Sequence, residues 1–552
     1  MPQLSLHRVG ERGVTRTALL LFLAALVGTV LVAWVLVVMF GRKMEARQRF
    51  VRLAQVSEVT TDPASWAVDF PDHYEGYIAT AGDRFYGGSS AMPASKLDHF
   101  PWLKRLYAGY AFSLDYREAR GHAYMLYDQG VTERVTKKPQ AGACLHCHGW
   151  ISVLYRKVGA AALVQPTDTE TLAANFDMPA VMRGFQELSR KPYQEVLELL
   201  QQMPDGTPTG EATPFPQAPA GGFTGEYAGK QLPEGHQSLG DAHPVSCIDC
   251  HEPWSMRTRI TRPGFVHGIQ ALAAGDAPVP HLPSIERWRR GSRAKPYDPN
   301  IDATRQEMRS FVCGQCHVEY YCANKDVLSF PWGEGLRMDD LEKVWEDKDF
   351  PDGSAFFDYR HGETGAPVFK VQHPEFEMWS QGIHARNGVS CADCHMPYQR
   401  RGAAKLSSHD VRSPLATVTA SCQTCHNVPE VELVGRVTAI QDRTAGMLER
   451  AAAAMTAMLD AILEAQAAGV DDATLAELHA LQRKAMWRLD YISSENSRGF
   501  HAPQEAARTL AESIDYSRQA TVLALRSRAP AAPDTSGLER RPIQGVSRPD
   551  ER

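Results

Sequence analysis

Apolar and polar positions divide the chain into one unbroken apolar block, a long mixed middle and a strongly periodic end. The block, Thr17 to Phe40, is 24 residues without a charge, long enough for a helix to cross a bilayer. Arg8, Arg12 and Arg16 precede it, and Gly41, Arg42 and Lys43 follow directly. A cleaved leader has a shorter apolar core that ends at a small-x-small site. The pattern therefore predicts an uncleaved transmembrane anchor over 17–40. Arg42, Lys43, Arg47, Arg49 and Arg52 make the far flank as basic as the near one, so positive-charge counting leaves the orientation open.

Residues 56–150 mix short helical and loop patterns. An insertion over 151–240 holds a helical stretch around Gln194–Gln202 and a Pro/Gly-rich segment, Met203 to Gly235, that reads as an extended surface loop. From Pro429 the helical period dominates. Val431–Ala468 is Ala-rich and stops at Gly469, a suitable C′ residue. Asp472 is placed to cap a helix running to about Ser494, and Pro503 suits the first turn of another. Ser527 to Arg552 is rich in Pro and Arg and reads as disordered. The expected fold is mainly α with few strands: a body over 41–428, a long-helix region over 429–526 and a tail over 527–552.

Composition is globular, with 43% hydrophobic and 22% charged residues. The formal charge of −6 lacks the basic surplus of a nucleic-acid binder.

Cysteine changes the picture. Ten of the 11 fall into five motifs: Cys144-Leu-His-Cys147-His148, Cys247-Ile-Asp-Cys250-His251, Cys313-Gly-Gln-Cys316-His317, Cys391-Ala-Asp-Cys394-His395 and Cys422-Gln-Thr-Cys425-His426. Two thiols at this spacing can form thioethers to both vinyl groups of a haem, with the following His beneath the iron as proximal ligand. Zinc ribbons and redox dithiols are the alternatives. Zinc would need its ligands grouped in pairs, and neither alternative explains a His after every second Cys. The motifs therefore predict five covalent c-type haems. Intervals of 66, 78 and 31 residues after the second motif exclude a fixed repeat. Five macrocycles supply so much apolar surface that one haem-packed body is expected.

Electron transfer alone would require a second ligand on every iron. The chain has 20 histidines, and composition does not single out the distal ones.

Several segments resemble the ammonia-forming pentahaem cytochrome c nitrite reductases: Asp62-Pro-Ala64 with Trp66 and Phe70-Pro71, Tyr86-Gly-Gly-Ser89, Ala108-Gly-Tyr-Ala-Phe-Ser113, and above all Cys313-Gly-Gln-Cys-His-Val-Glu-Tyr-Tyr321 and Lys370-Val-Gln-His-Pro-Glu375. The similarity runs from about 56 to 526, interrupted over 151–240. It implies six-electron reduction of nitrite, and it implies distal ligands: His409 for the second-motif haem, His122 for the third, His501 for the fourth and His384 for the fifth. Four distal histidines for five haems leave the haem on Cys144 and Cys147 open. Arg134, Tyr320 and His373 match the family's catalytic residues. Arg134 and a protonated His373 would face the nitrite oxygens, His373 would relay protons, and Tyr320 would position intermediates. Glu319, Tyr320, Lys370 and Gln372 match a calcium site of oxygen ligands; an ordinary Glu319–Lys370 salt bridge is the alternative.

The chain departs from most of that family in three respects: the residue beneath the first-motif iron, the interval after that motif, and the membrane anchor, since many members are soluble. His148 stands where the catalytic haem usually has Lys, as in a subgroup that Asp241-Ala-His-Pro-Val-Ser-Cys-Ile-Asp-Cys-His251 and Thr261-Arg-Pro-Gly-Phe265 also resemble. His146 lies inside the first motif, where the short loop disfavours its reaching that iron. The interval from Cys144 to Cys247 is 103 residues. Cys322, outside every motif, is expected to be a free buried thiol.

Haem attachment of this kind implies a periplasmic body, anchored in the inner membrane of a bacterium, with 1–16 as a cytoplasmic N-terminus. The expected partners are nitrite, a quinol-oxidising cytochrome or another membrane electron donor, and a second copy joined through the C-terminal helices. A non-catalytic electron-transfer cytochrome, or a related multihaem enzyme acting on hydroxylamine, sulfite or tetrathionate, is the competing reading.

Overall fold

A computed structural model describes residues 15–45, 51–80, 95–118, 121–126, 129–203, 245–402 and 404–528. Tyr86–Ser89, most of the Pro/Gly-rich segment and nearly all of the C-terminal tail lie outside them. The apolar block forms α1 (Arg16–Glu45), 30 residues long, with all but Val38 exposed from Arg16 to Met44. At 1.5 Å per residue it is about 45 Å long, more than a bilayer's hydrocarbon core requires.

The haem motifs are built on helical turns, which bring residues i, i+3 and i+4 onto one face. Two of them carry their own start signal. Ser246 and Asp249 form a capping box around the second motif, with the Ser246 amide donating to Asp249 at 2.8 Å. Ser390 and Asp393 repeat this in the fourth, again at 2.8 Å. The aspartate inside Cys-x-Asp-Cys-His therefore folds the motif it belongs to. The third motif closes a helix, Arg305–Gly314, opened by a Thr304/Glu307 box.

The insertion is more helical than its pattern suggests. It holds α2 (Ser152–Ala162), α3 (Met178–Leu188) and α4 (Tyr193–Gln201). At the crossing of α2 and α3, a Cβ on Gly159 would meet the Ala180 carbonyl at 1.8 Å, and one on Gly184 the Tyr155 carbonyl at 1.8 Å. Only glycine permits that approach. Buried Arg156 donates to the carbonyls of Asn175 at 2.8 Å, Glu58 at 3.1 Å and Leu172. The turn between α3 and α4 pairs with the chain just before Cys144: Gly142 N to Lys191 O at 2.7 Å, Ala143 N to Ser189 O at 3.2 Å, and Tyr193 N to Gln140 O at 2.9 Å. This part of the insertion is a buttress for the first motif.

Strand is confined, among the described residues, to two hairpins. Tyr359–Arg360 pairs with Pro367–Val368, and Tyr398–Arg401 with Ala404–Ser407. The periodic end forms α5 (Glu430–Ala467), α6 (Asp472–Ser494) and α7 (Pro503–Arg528). Gly469 ends α5 at φ +78°. The cap of α6 is Asp471 rather than Asp472, its carboxylate accepting from Thr474 N at 2.9 Å. Small and flexible side chains (Ala485, Ala506, Ala520, Ala524, Met455, Met458) fill the space between the three helices. The inner face of α6 carries Asp490 and Ser494 towards the site described next.

Candidate functional site

Each of the four nominated distal histidines faces a motif histidine. Ring centroids are 6.1 Å apart for His251 and His409, 6.3 Å for His317 and His122, 6.3 Å for His395 and His501, and 6.3 Å for His426 and His384. An imidazole nitrogen lies about 1.1 Å from its ring centre and a metal–imidazole bond adds about 2 Å, so two rings across one iron sit about 6 Å apart. The four pairs fit a bis-histidine iron.

Their orientation is set from behind. Nδ1 of His251 bonds the Met256 carbonyl at 2.9 Å, Nδ1 of His395 the Arg412 carbonyl at 3.0 Å, and Nδ1 of His409 the Ser407 carbonyl at 3.0 Å. His501 instead bonds the Glu495 carboxylate at 2.6 Å, and His317 lies 3.8 Å from that of Glu375. His73 packs edge-on against His409, with centroids 4.7 Å apart. No sequence pattern marks Glu495 or His73. Glu375 stood at the end of the Lys370–Glu375 segment, without a role.

The motifs touch one another. Cys147 contacts Cys316, and Cys313 contacts Cys391. Buried Arg262 knits three of them. Its guanidinium pairs with Asp249 inside the second motif at 2.8 Å and donates to the Gly149 carbonyl beside the first at 2.8 Å, while its amide donates to Gln315 inside the third at 3.0 Å.

Around the first motif, Arg134 is close enough to Cys144 to favour its thiolate, and it lies over the Phe112 ring at 5.2 Å. The Lys370 ammonium lies over the same ring, also at 5.2 Å. Tyr110 stacks on Phe112 and neighbours Cys144 and Cys322. Tyr320 is buried near Cys144, Cys147 and Cys322, where burial pushes its phenol well up. His373 stands beside the His317 ring, centroids 6.5 Å apart, its amide bonded to the Val318 carbonyl at 3.2 Å. Burial, reinforced by neighbouring cations, holds its imidazole down to about 4. Arg134 and Lys370 bring side-chain cations to the site, and burial disfavours the protonated form of His373.

His146 turns away into the insertion. It is wholly buried, with Nδ1 3.4 Å from the Tyr155 hydroxyl and its ring 5.1 Å from that of Phe185. Cys322 is part-buried and lies against Cys144, the first thiol of the first motif.

Glu319 and Gln372 come together, with Gln372 N donating to the Glu319 carboxylate at 2.7 Å. Two further buried acids stand close by: Glu377, which accepts from Glu319 N at 3.0 Å, and Asp358, which accepts from Lys370 N at 2.7 Å. The Lys370 ammonium reaches Asp490 at 3.4 Å rather than Glu319. Burial pushes Glu319 well up, Asp358 to about 7 and Glu377 to about 8. No three His, Cys, Asp or Glu side chains converge as a metal cluster among the described residues. A cation here would rely on one carboxylate with amide and carbonyl oxygens, a donor set suited to calcium, and would offset the surplus of buried acid.

Five Cys-x-x-Cys-His turns, four of them facing a second imidazole at the span of one iron, define a multihaem cytochrome of the c type. A family model described as Cytochrome c552 matches residues 62–171 and 219–541, and the chain belongs to that family. It is similar to a cytochrome c-552 of Parabacteroides distasonis, 31% identical over 465 residues covering 82% of this chain and 74% of that one. Another, from Bacteroides fragilis strain YCH46, is 31% identical over 506 residues covering 89% and 83%. The fold is that of the catalytic subunit of a cytochrome c nitrite reductase from Desulfovibrio desulfuricans, described with two calcium sites: 24% identity, TM-score 0.63, covering 86% of this chain and 88% of that one.

Proposed function

We propose that this cytochrome reduces nitrite to ammonium at the first-motif haem, fed by haems on the other four motifs. One observation carries the reading: the four distal histidines are committed to motifs two to five, while Arg134, Tyr320 and His373 gather near the thiols and third-motif neighbour of the first. When bound, the first-motif haem would supply the metal centre for the nitrogen and the electrons that reduce it. Nitrite takes up six electrons and eight protons to give ammonium and two waters, so the residues around it must hold an anion and pass protons. Arg134 offers a fork of donors to the oxygens. Tyr320 Oη, kept protonated by burial, donates a hydrogen bond. His373 is the imidazole placed to hand on protons.

Calcium at Glu319 and Gln372, with the Tyr320 and Lys370 carbonyls, would fix the backbone from which Tyr320 and His373 project. α1 serves as a membrane anchor with the haem body on the periplasmic side, which receives electrons from a quinol-oxidising partner. α5, exposed along much of its first half, joins two copies.

The test is ammonium yield from nitrite with the haem-loaded protein and a dithionite-reduced mediator. Changing His373→Asn should lower turnover at least tenfold with haem content unchanged. A wholly low-spin spectrum with no ammonium formed would make the protein an electron carrier instead.

A further inference from the structure

Three of the axial imidazoles are backed by neutral backbone carbonyls, but His501 is backed by a carboxylate. Glu495 has no exposed side-chain surface. One of its oxygens is 2.6 Å from His501 Nδ1; the other accepts from the Ser497 hydroxyl at 2.8 Å and the Gly499 amide at 3.4 Å. The His501 backbone is fixed too. Its amide bonds Ser497 Oγ at 2.9 Å, and its carbonyl packs so closely on Gly382 that a Cβ there would approach to 2.1 Å. The same turn reaches the neighbouring motif. Asn496 donates its side-chain amide to Glu375 at 2.6 Å, and Glu375 lies beside His317. The third and fourth motifs are in contact through Cys313 and Cys391.

A buried anion accepting the Nδ1 proton makes an imidazole a stronger donor and stabilises the oxidised iron it binds. A carbonyl does this far less, being neutral. We infer that Glu495 is a positioning residue that lowers the reduction potential of the fourth-motif haem by its hydrogen bond to His501, setting that haem below the second-motif haem, whose two histidines are both backed by carbonyls. This rests on the ligation of one iron by His395 and His501 proposed above.

The experiment is a spectropotentiometric titration, followed by electron paramagnetic resonance, of the haem-loaded full chain and three variants. Glu495→Gln keeps the size and an acceptor but removes the charge, so one low-spin haem should rise in potential while the others stay. Ser497→Ala removes a donor that draws charge from the Glu495 carboxylate, so the carboxylate acts more strongly on His501 and the same haem should fall. No shift, or shifts of the same sign, overturns the inference. Should Glu495→Gln fail to load haem, the Ser497→Ala sign decides alone. His501→Ala separates the two readings. A new high-spin haem upholds the ligation, so unmoved potentials then count against Glu495 only; an unchanged spin state overturns both.

Discussion

Arg262 reaches three haem motifs from one buried position, through Gly149, Asp249 and Gln315. Replacing it by Met would leave Asp249 buried without its cation, a change that costs about 3–5 kcal/mol. Thermal unfolding of the haem-loaded variant checks this, and a midpoint within a degree of wild type would remove Arg262 from the framework. At the site, Arg134→Lys keeps the charge but loses the planar fork; nitrite kcat/KM should fall about a hundredfold, with the haem spectrum unchanged. What was legible at this scale follows from covalent chemistry. Thioether attachment dictates the spacing of Cys144, Cys147 and His148, so the proximal residues could be read directly. The pairing of His122 with His317 joins residues far apart in sequence, and only family resemblance nominated it. Glu495 left no trace, because a carboxylate six residues before a histidine is an ordinary occurrence. Burial, which opposes protonation of His373, is likewise not displayed by the chain alone.

The α2–α3 crossing shows how local pattern and packing diverge. The C-terminal helices were legible because they are long, Ala-rich and punctuated by Gly469 and Pro503, so their period persists over many turns. α2 and α3 are 11 residues each, and what defines them is contact with each other through Gly159 and Gly184, residues that read as breakers in a sequence. Gly184→Ala should force the helices apart and cost about 1–3 kcal/mol. Because the α3–α4 turn holds residues 140–143, the change should disturb the first-motif haem before the other four. Absorbance and magnetic circular dichroism of the variant would show whether the loss is selective. The acidic pocket of Glu319, Asp358 and Glu377 belongs to this scale too, since three chain segments build it. Removing calcium with a chelator should lower both thermal stability and nitrite turnover, and added calcium should restore them; indifference to chelation would return the pocket to a purely structural role.

For the molecule as a whole, the third motif touches the first and the fourth, and the three long helices pack against one another. Sedimentation of the detergent-solubilised, haem-loaded chain should give twice the monomer mass if α5 joins two copies, and Val431→Glu on its exposed face should halve it. The buttress of the first motif also bears on biogenesis. Residues 188–193 emerge after Cys144 and Cys147, yet in the finished fold they bond the chain at 140–143, leaving Ala143 and Leu145 wholly enclosed. Because this turn covers the chain beside Cys144, attachment of the first haem is expected to precede its docking, and a pulse-labelled preparation blocked before attachment should show residues 188–193 open to proteolysis.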